Sequence, residues 1–491
     1  MLRLLRLAAA IAAVLALAGP PSPVAGHMNH CLTSGILMRY VVLFEAETPE
    51  YQAAHAVQAA CGTSTIYYSQ IGVGVVTSTD PTFVARFGAD RAYSAQAEAG
   101  ASPQRATTLA SPAVPLTAAQ LPGAAQALSV DRSAEQWDME LIHAPQARTI
   151  NPGRSEVLVG VLDSGVDATH PDLAAAVDPS RSAGCLSGSP EQAPVSWSPS
   201  SSTHGTHVAG TIAAANDGRG IAGVAPGVRL ASVKVVDDDG FIYPEYAVCG
   251  FMWAARQRMH IANSSYLLDP WLLTCSDIPG QAVAHEAVRR AVEYATVHGV
   301  LSIAAVGNDR MDLANPSHDP HSPNNVPDPR PRPVDQHCVV LPAQLPGVVA
   351  VSAVGAQRVK SEYSSYGQGV VTVTAPGGDW AQPSGVSSSG CVLSTVPGGY
   401  GYACGTSMAA PHVSGVAALL ASAWPGSDPK QLASLLAQHA SPLPCPLRSG
   451  STCAGDTYNG FSGHGLVDAL MAVTAPPSGS AIDARTDRTY R

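Results

Sequence analysis

Hydrophobic and polar positions follow two different patterns along the chain, on either side of a low-complexity stretch. From Tyr40 to about Asp90 the elements are short. YVVLF, TIYYS and GVGVVT read as strands, and a stretch running to Ala60 reads as a helix that Thr48 caps with Pro49 at its first position. A second helical segment falls near Phe83 to Phe87, and together these predict a small α+β unit over residues 31–91. Residues 92–128 turn to Ala, Ser, Thr, Pro and Gln, with little to bury, so an exposed and cleavable linker is expected there. Over residues 129–474 strands that are apolar throughout, such as EVLVGVLDSG, VRLASVKVV and VLSIAAVGN, are separated by helical segments near Tyr246 to Arg258, Ala284 to Val297 and Met408 to Ala423. Such strands require cover on both faces, which predicts an α/β fold with a parallel sheet between two helical layers. Residues 475–491 are polar without periodicity and read as a flexible tail.

With 491 residues, 46% hydrophobic and 13% charged, the chain can bury a large core. The net charge of −10 comes without a basic cluster able to neutralise a phosphate backbone, so nucleic acid is excluded as a partner. Arg3 and Arg6 precede an apolar run that ends in Ala16-Leu17-Ala18, which reads as a secretory signal peptide within residues 1–25. No later stretch is apolar enough to span a membrane, and a secreted, extracellular protein is expected. Ten cysteines without C-x-x-C spacing fit disulfides better than zinc. Cys31 and Cys61 precede the linker and eight follow it, so each side can pair internally. Cys391–Cys404 and Cys445–Cys453 are the preferred short pairings, and the rest stay open.

Three segments carry chemistry. Asp163 stands where the run EVLVGVL leaves the sheet, the edge at which open α/β sheets place ligands. In SSTHGTHVAGTIAAA, Ser202 or Thr203 can cap a helix that begins at His204, and Gly205 and Gly210 lie inside its pattern. Each glycine costs roughly 1 kcal/mol there relative to alanine, which points to a close backbone approach. His207 reads as a packed structural histidine, not as a metal ligand with His204. Ser407 sits at the mouth of a helix that is apolar nearly all round, and Pro411 is tolerable there if Ser407 is the cap.

The order Asp163, His204, Asn308, Ser407 and the motifs VLDSGV, HGTHVAG, GN after an apolar strand and GTSMAAPHVSG resemble those of the subtilisin-like serine proteases, the subtilases. The resemblance runs from near Gln136 to near Val473. It implies a subtilisin-like fold and a serine endopeptidase in which Ser407 is the nucleophile, His204 the general base and Asp163 the group that orients the imidazole. Asn308 and the Ser407 N–H are then the oxyanion donors. The α+β unit becomes a propeptide that assists folding and inhibits the enzyme, with self-cleavage between about Ala92 and Ser129.

Two segments depart from the family. Where it has a Ser-Leu-Gly-Gly edge for substrate binding, this chain has Asn263, Ser264, Ser265 and Tyr266 followed by Leu267-Leu268, so these are the candidate substrate-binding residues of a narrowed or re-routed cleft. After Asn308 comes a long Pro-, Asp- and His-rich stretch. Its His318, Asp319 and His321 read as part of a proline-stiffened loop pinned at Cys338, with no metal site. The run Asp237-Asp238-Asp239 reads as a solvated turn. No cofactor is required, and structural calcium, common in the family, has no specific motif here. The rival reading is a catalytically silent binding module. An α/β-hydrolase is excluded, since it needs Ser before Asp before His.

Overall fold

Every residue from Tyr40 to Leu43 is apolar because the strand that contains them is buried on both sides. Tyr40 and Val42 pack with Val57, Phe83 and Phe87 in the unit's own core, while Val41 and Leu43 point into a second core shared with the rest of the chain. The computed structural model describes residues 31–33, 35–98, 130–386, 390–445 and 458–476. The signal peptide, most of the linker, most of the tail and Cys453 lie outside the described residues.

The amino-terminal unit is an antiparallel sheet in the order Thr63–Tyr68, Val73–Ser78, Met38–Leu43 and Ala92–Tyr93, with the helices Glu50–Ala59 and Phe83–Phe87 against one face. Two expectations change here. The helix starts at Glu50 with Pro49 as its cap residue, and the Thr48 hydroxyl bonds the Glu45 carbonyl instead of the helix. The folded unit also runs past residue 91 through the strand Ala92–Tyr93 and the helical turn Ala95–Glu98.

The large sheet has seven parallel strands in the order Val373–Pro376, Val349–Val354, Leu301–Ala305, Ile261–Ser264, Leu158–Asp163, Arg229–Lys234 and Ala183–Gly184. Val159 and Val161 face a core built with the helices His204–Ala213, Thr406–Ala423 and Pro429–His439. Leu158 and Leu162 face the helices Pro244–Arg256 and Pro279–Val297. The α/β fold with helices on both faces is therefore as expected. The last two helices also carry the amino-terminal sheet. Arg39 reaches across to donate to the Leu186 carbonyl, and its guanidinium lies 3.9 Å from the buried Glu245 carboxylate. In the reverse direction Arg290 donates to the carbonyls of Phe44 and Ile71.

Disulfides join Cys31–Cys61, Cys185–Cys249, Cys275–Cys338 and Cys391–Cys404. Cys445 is also disulfide-bonded, and its expected partner Cys453 is outside the described residues. No helix among the described residues is long and apolar enough to cross a membrane.

Candidate active site

Asp163 is the last residue of the central strand Leu158–Asp163, and its carboxylate is buried. Oδ1 accepts from the Ser164 N–H at 2.7 Å and from His204 Nδ1 at 2.8 Å, and Oδ2 lies 3.0 Å from the same nitrogen. Facing a carboxylate, Nδ1 carries the proton, so the Nε2 lone pair is the one free to accept. Burial by itself would lower the His204 pKa, but the charge of Asp163 and its hydrogen bond outweigh it and leave the imidazole above its ordinary value.

The glycines of the His204–Ala213 helix fit close approaches. A Cβ on Gly205 would fall 2.4 Å from the Gly165 carbonyl oxygen, and one on Gly210 would overlap the hydroxyls of Thr395 and Ser394. His207 turns into the core, with Nε2 at 3.2 Å from the carbonyls of Val392 and Gly401. Burial, with the nearby His204 charge adding to it, pushes its pKa down to about 3, so it stays neutral.

Asn308 follows the strand Leu301–Ala305 after Gly307, whose φ is +97°. Its Oδ1 accepts from both the N–H and the hydroxyl of Thr406, each at 2.9 Å, and the Thr406 hydroxyl in turn accepts from the Gly307 N–H. This double hold on the oxygen fixes which way the amide is turned. The point where Gly405 would carry a Cβ lies 3.5 Å from Asn308 Nδ2 and 3.7 Å from the Ser407 backbone nitrogen. Asn308 Oδ1 lies 3.8 Å from the same point, so the Asn308 amide and the start of the Ser407 helix are neighbours. Sequence reasoning missed Thr406, although its place beside Ser407 in GTSMAAPHVSG was the available signal.

Ser407 lies in the first turn of the helix Thr406–Ala423 and does not cap it; the cap residue is Gly405. Its hydroxyl donates to the Ser265 carbonyl at 2.9 Å, and among the described residues no hydrogen bond joins it to His204. The helices of His204 and Ser407 pack against each other.

The side chains of the candidate substrate-binding residues are turned inward. Asn263 and Ser264 are fully buried, and Ser265 and Tyr266 nearly so. The Asn263 amide bonds the hydroxyls of Ser265 and Ser414, and Tyr266 packs among the helices on the other face of the sheet. Leu267 packs over Gly307, next to Asn308. Its Cδ1 lies 3.0 Å, and Asp309 Oδ2 3.5 Å, from where Gly307 would carry a Cβ. Burial raises the Asp309 pKa, against the charge of His321.

In the long stretch after Asn308, Asp319 is buried and held by Arg332 at 2.9 Å, while His318 and His321 are exposed. The Cys275–Cys338 disulfide pins the stretch, and its Asn325 amide donates to the Ala95 carbonyl of the amino-terminal unit. Asp237 Oδ1 accepts from the N–H groups of Asp239 and Phe241, and Asp238 pairs with Lys234.

The family model described as the Subtilase family matches residues 154–465. Fervidolysin of Fervidobacterium pennivorans is 32% identical over 362 residues, covering 70% of this chain, which spans 44% of fervidolysin's length. Subtilisin NAT of Bacillus subtilis subsp. natto is 32% identical over 339 residues, 68% of this chain and 70% of that protein. In fold, the epidermin leader peptide processing serine protease of Staphylococcus aureus superposes with a TM-score of 0.66 at 19% identity, over 90% of this chain and 99% of that one. The chain belongs to the subtilase family of subtilisin-like serine endopeptidases.

Proposed function

We propose that the chain is made as a secreted zymogen that hydrolyses peptide bonds in proteins through an acyl-enzyme on Ser407. The observation that carries this reading is the Asp163–His204 hydrogen bond on a helix packed against the one that begins with Thr406 and Ser407, with the Asn308 amide held by Thr406 beside it. A serine hydroxyl is a weak nucleophile at neutral pH. Rotation of the Ser407 side chain away from the Ser265 carbonyl offers its proton to His204 Nε2 as Oγ attacks the substrate carbonyl carbon. Asn308 and the Ser407 N–H stabilise the resulting oxyanion. Collapse breaks the C–N bond while His204 returns the proton to the leaving amine. Water, deprotonated by the same imidazole, then releases the acid and restores Ser407. The imidazolium formed in each step is stabilised by Asp163, and no metal or cofactor enters.

The contacts of Arg39, Arg290 and Asn325 support the amino-terminal unit as an intramolecular inhibitor. Self-cleavage is expected between about Ala92 and Ser129, and the folded strand Ala92–Tyr93 and turn Ala95–Glu98 favour the later part of that range. Leu267 over Gly307 supports a cleft narrowed beside the scissile carbonyl, which favours a small side chain there. Cleavage profiling on a peptide library is the test: turnover by the wild type, a restricted profile and no turnover by Ser407→Ala are expected. An inert wild type favours the binding-module reading, and a flat profile removes the narrowed cleft.

A further inference from the structure

In an α-helix each carbonyl accepts from the N–H four residues on. Four residues after Ser407, inside the helix Thr406–Ala423, stands Pro411, which has no N–H. The carbonyl of the proposed nucleophile has therefore lost its helical donor. The Ser265 hydroxyl takes the donor's place at 2.8 Å.

A carbonyl can only accept, so the single proton of the Ser265 hydroxyl is committed to Ser407. Asn263 supports that direction, since its Nδ2 donates to Ser265 Oγ at 2.9 Å and occupies one of the hydroxyl's lone pairs. The Asn263 amide is in turn oriented by the Ser414 hydroxyl, which donates to its Oδ1 at 2.8 Å. All three side chains are buried, so water does not compete for these bonds. The path leaves the helix at Ser414, crosses to the segment Asn263–Ser265 and returns to the helix at Ser407. The hydroxyl of Ser407 adds a reciprocal bond to the Ser265 carbonyl.

We propose that Asn263, Ser265 and Ser414 are positioning residues that clamp the carbonyl left free by Pro411 and so hold Ser407 in register with the Asn308 amide. This rests on Ser407 being the nucleophile. Clamping that carbonyl pins the peptide plane after Ser407, and with it the Cα from which the hydroxyl and the oxyanion-facing N–H project. The clamp touches no substrate, so its loss lowers turnover more than it weakens binding.

The test measures kcat and KM on a chromogenic peptide amide, per titrated active site of the mature enzyme. In Ser265→Ala the carbonyl loses its donor. In the isosteric Asn263→Asp a carboxylate cannot donate, so Ser265 turns its proton to residue 263. Both are expected to lower kcat about 10- to 100-fold, the cost of an unpartnered buried acceptor, with KM changed less than about twofold. Pro411→Ala restores an N–H four residues after Ser407, so Ser265→Ala/Pro411→Ala is expected to recover about tenfold over Ser265→Ala. Should Ser265→Ala not fold, Ser414→Ala frees the amide with Ser265 in place and is expected to lower kcat about 3- to 10-fold. The proposal is overturned if the single variants keep kcat within about twofold, or if the double variant is no faster than Ser265→Ala. A wild type without turnover overturns the hydrolase reading and the clamp with it, whereas an active wild type with equally active variants overturns the clamp alone.

Discussion

Gly205→Ala adds a single methyl group to the helix that carries His204, at the point where its backbone meets the aspartate strand. The new Cβ falls 2.4 Å from the Gly165 carbonyl oxygen and 3.2 Å from Asp163 Oδ1. Carbon–oxygen contacts become tolerable near 3.3 Å, so the helix has to retreat by about 0.9 Å from a backbone atom that cannot rotate aside. The His204–Asp163 bonds of 2.8 and 3.0 Å then stretch beyond hydrogen-bond range. Misplacing a catalytic group by about 1 Å costs roughly 10²-fold in rate. Stability moves less, because overpacking of about 1 to 3 kcal/mol is partly offset by the gain of about 1 kcal/mol from replacing a helical glycine. The assay is kcat/KM on a chromogenic tetrapeptide with thermal unfolding measured alongside. A fall of about 100-fold with Tm lower by only a few degrees is expected. A variant within about threefold of the wild type would show that the Gly205 contact does not set the His204 geometry.

Further outcomes follow from the same geometry. Asp163→Asn removes the charge that raises the His204 pKa and leaves burial to lower it, so the acidic limb of the kcat/KM–pH profile moves from above 6.5 to below it while kcat drops by about 10⁴. Asn308→Ala removes one oxyanion donor and is expected to lower kcat by about 10² to 10³ with KM little changed. Arg290→Ala removes two charge-assisted hydrogen bonds to the amino-terminal unit, about 2 kcal/mol or roughly 30-fold in docking affinity, and shortens the activation lag of the full-length protein. Burial raises the Asp269 carboxyl to about 7, against its bonds from Asn324 and Ile242. Its folded pKa exceeds the unfolded one, so its contribution to stability is fully present below about pH 4 and is lost as pH rises toward 7. Asp269→Asn is expected to flatten the Tm–pH slope over that window.

The proposed catalytic residues could be named from the sequence because acyl transfer demands particular residue types, and Asp163, His204, Asn308 and Ser407 stand in motifs that few other roles explain. The strands were legible because burial on both faces leaves no polar position, as in Leu158–Asp163. Direction within a strand was not. Side chains alternate with period two, so Asn263 and Ser265 face the Ser407 helix, while Ser264 and Tyr266 face the opposite layer, and all four side chains are buried. The strand Ala92–Tyr93 is two residues long, too short to show a pattern, which is why the unit seemed to end at residue 91. Cys185–Cys249 and Cys275–Cys338 join positions 64 and 63 residues apart, a proximity that only the folded sheet creates. Pro411 was visible, but which carbonyl it orphans depends on the helix starting at Thr406.

The most direct measurement is labelling of the mature protein with a fluorophosphonate, followed by intact mass and peptide mapping. One equivalent on Ser407 is expected, with the labelling rate falling by at least about 10³ in His204→Ala. Label on another residue, or on Ser407 at an unchanged rate in His204→Ala, would contradict the account.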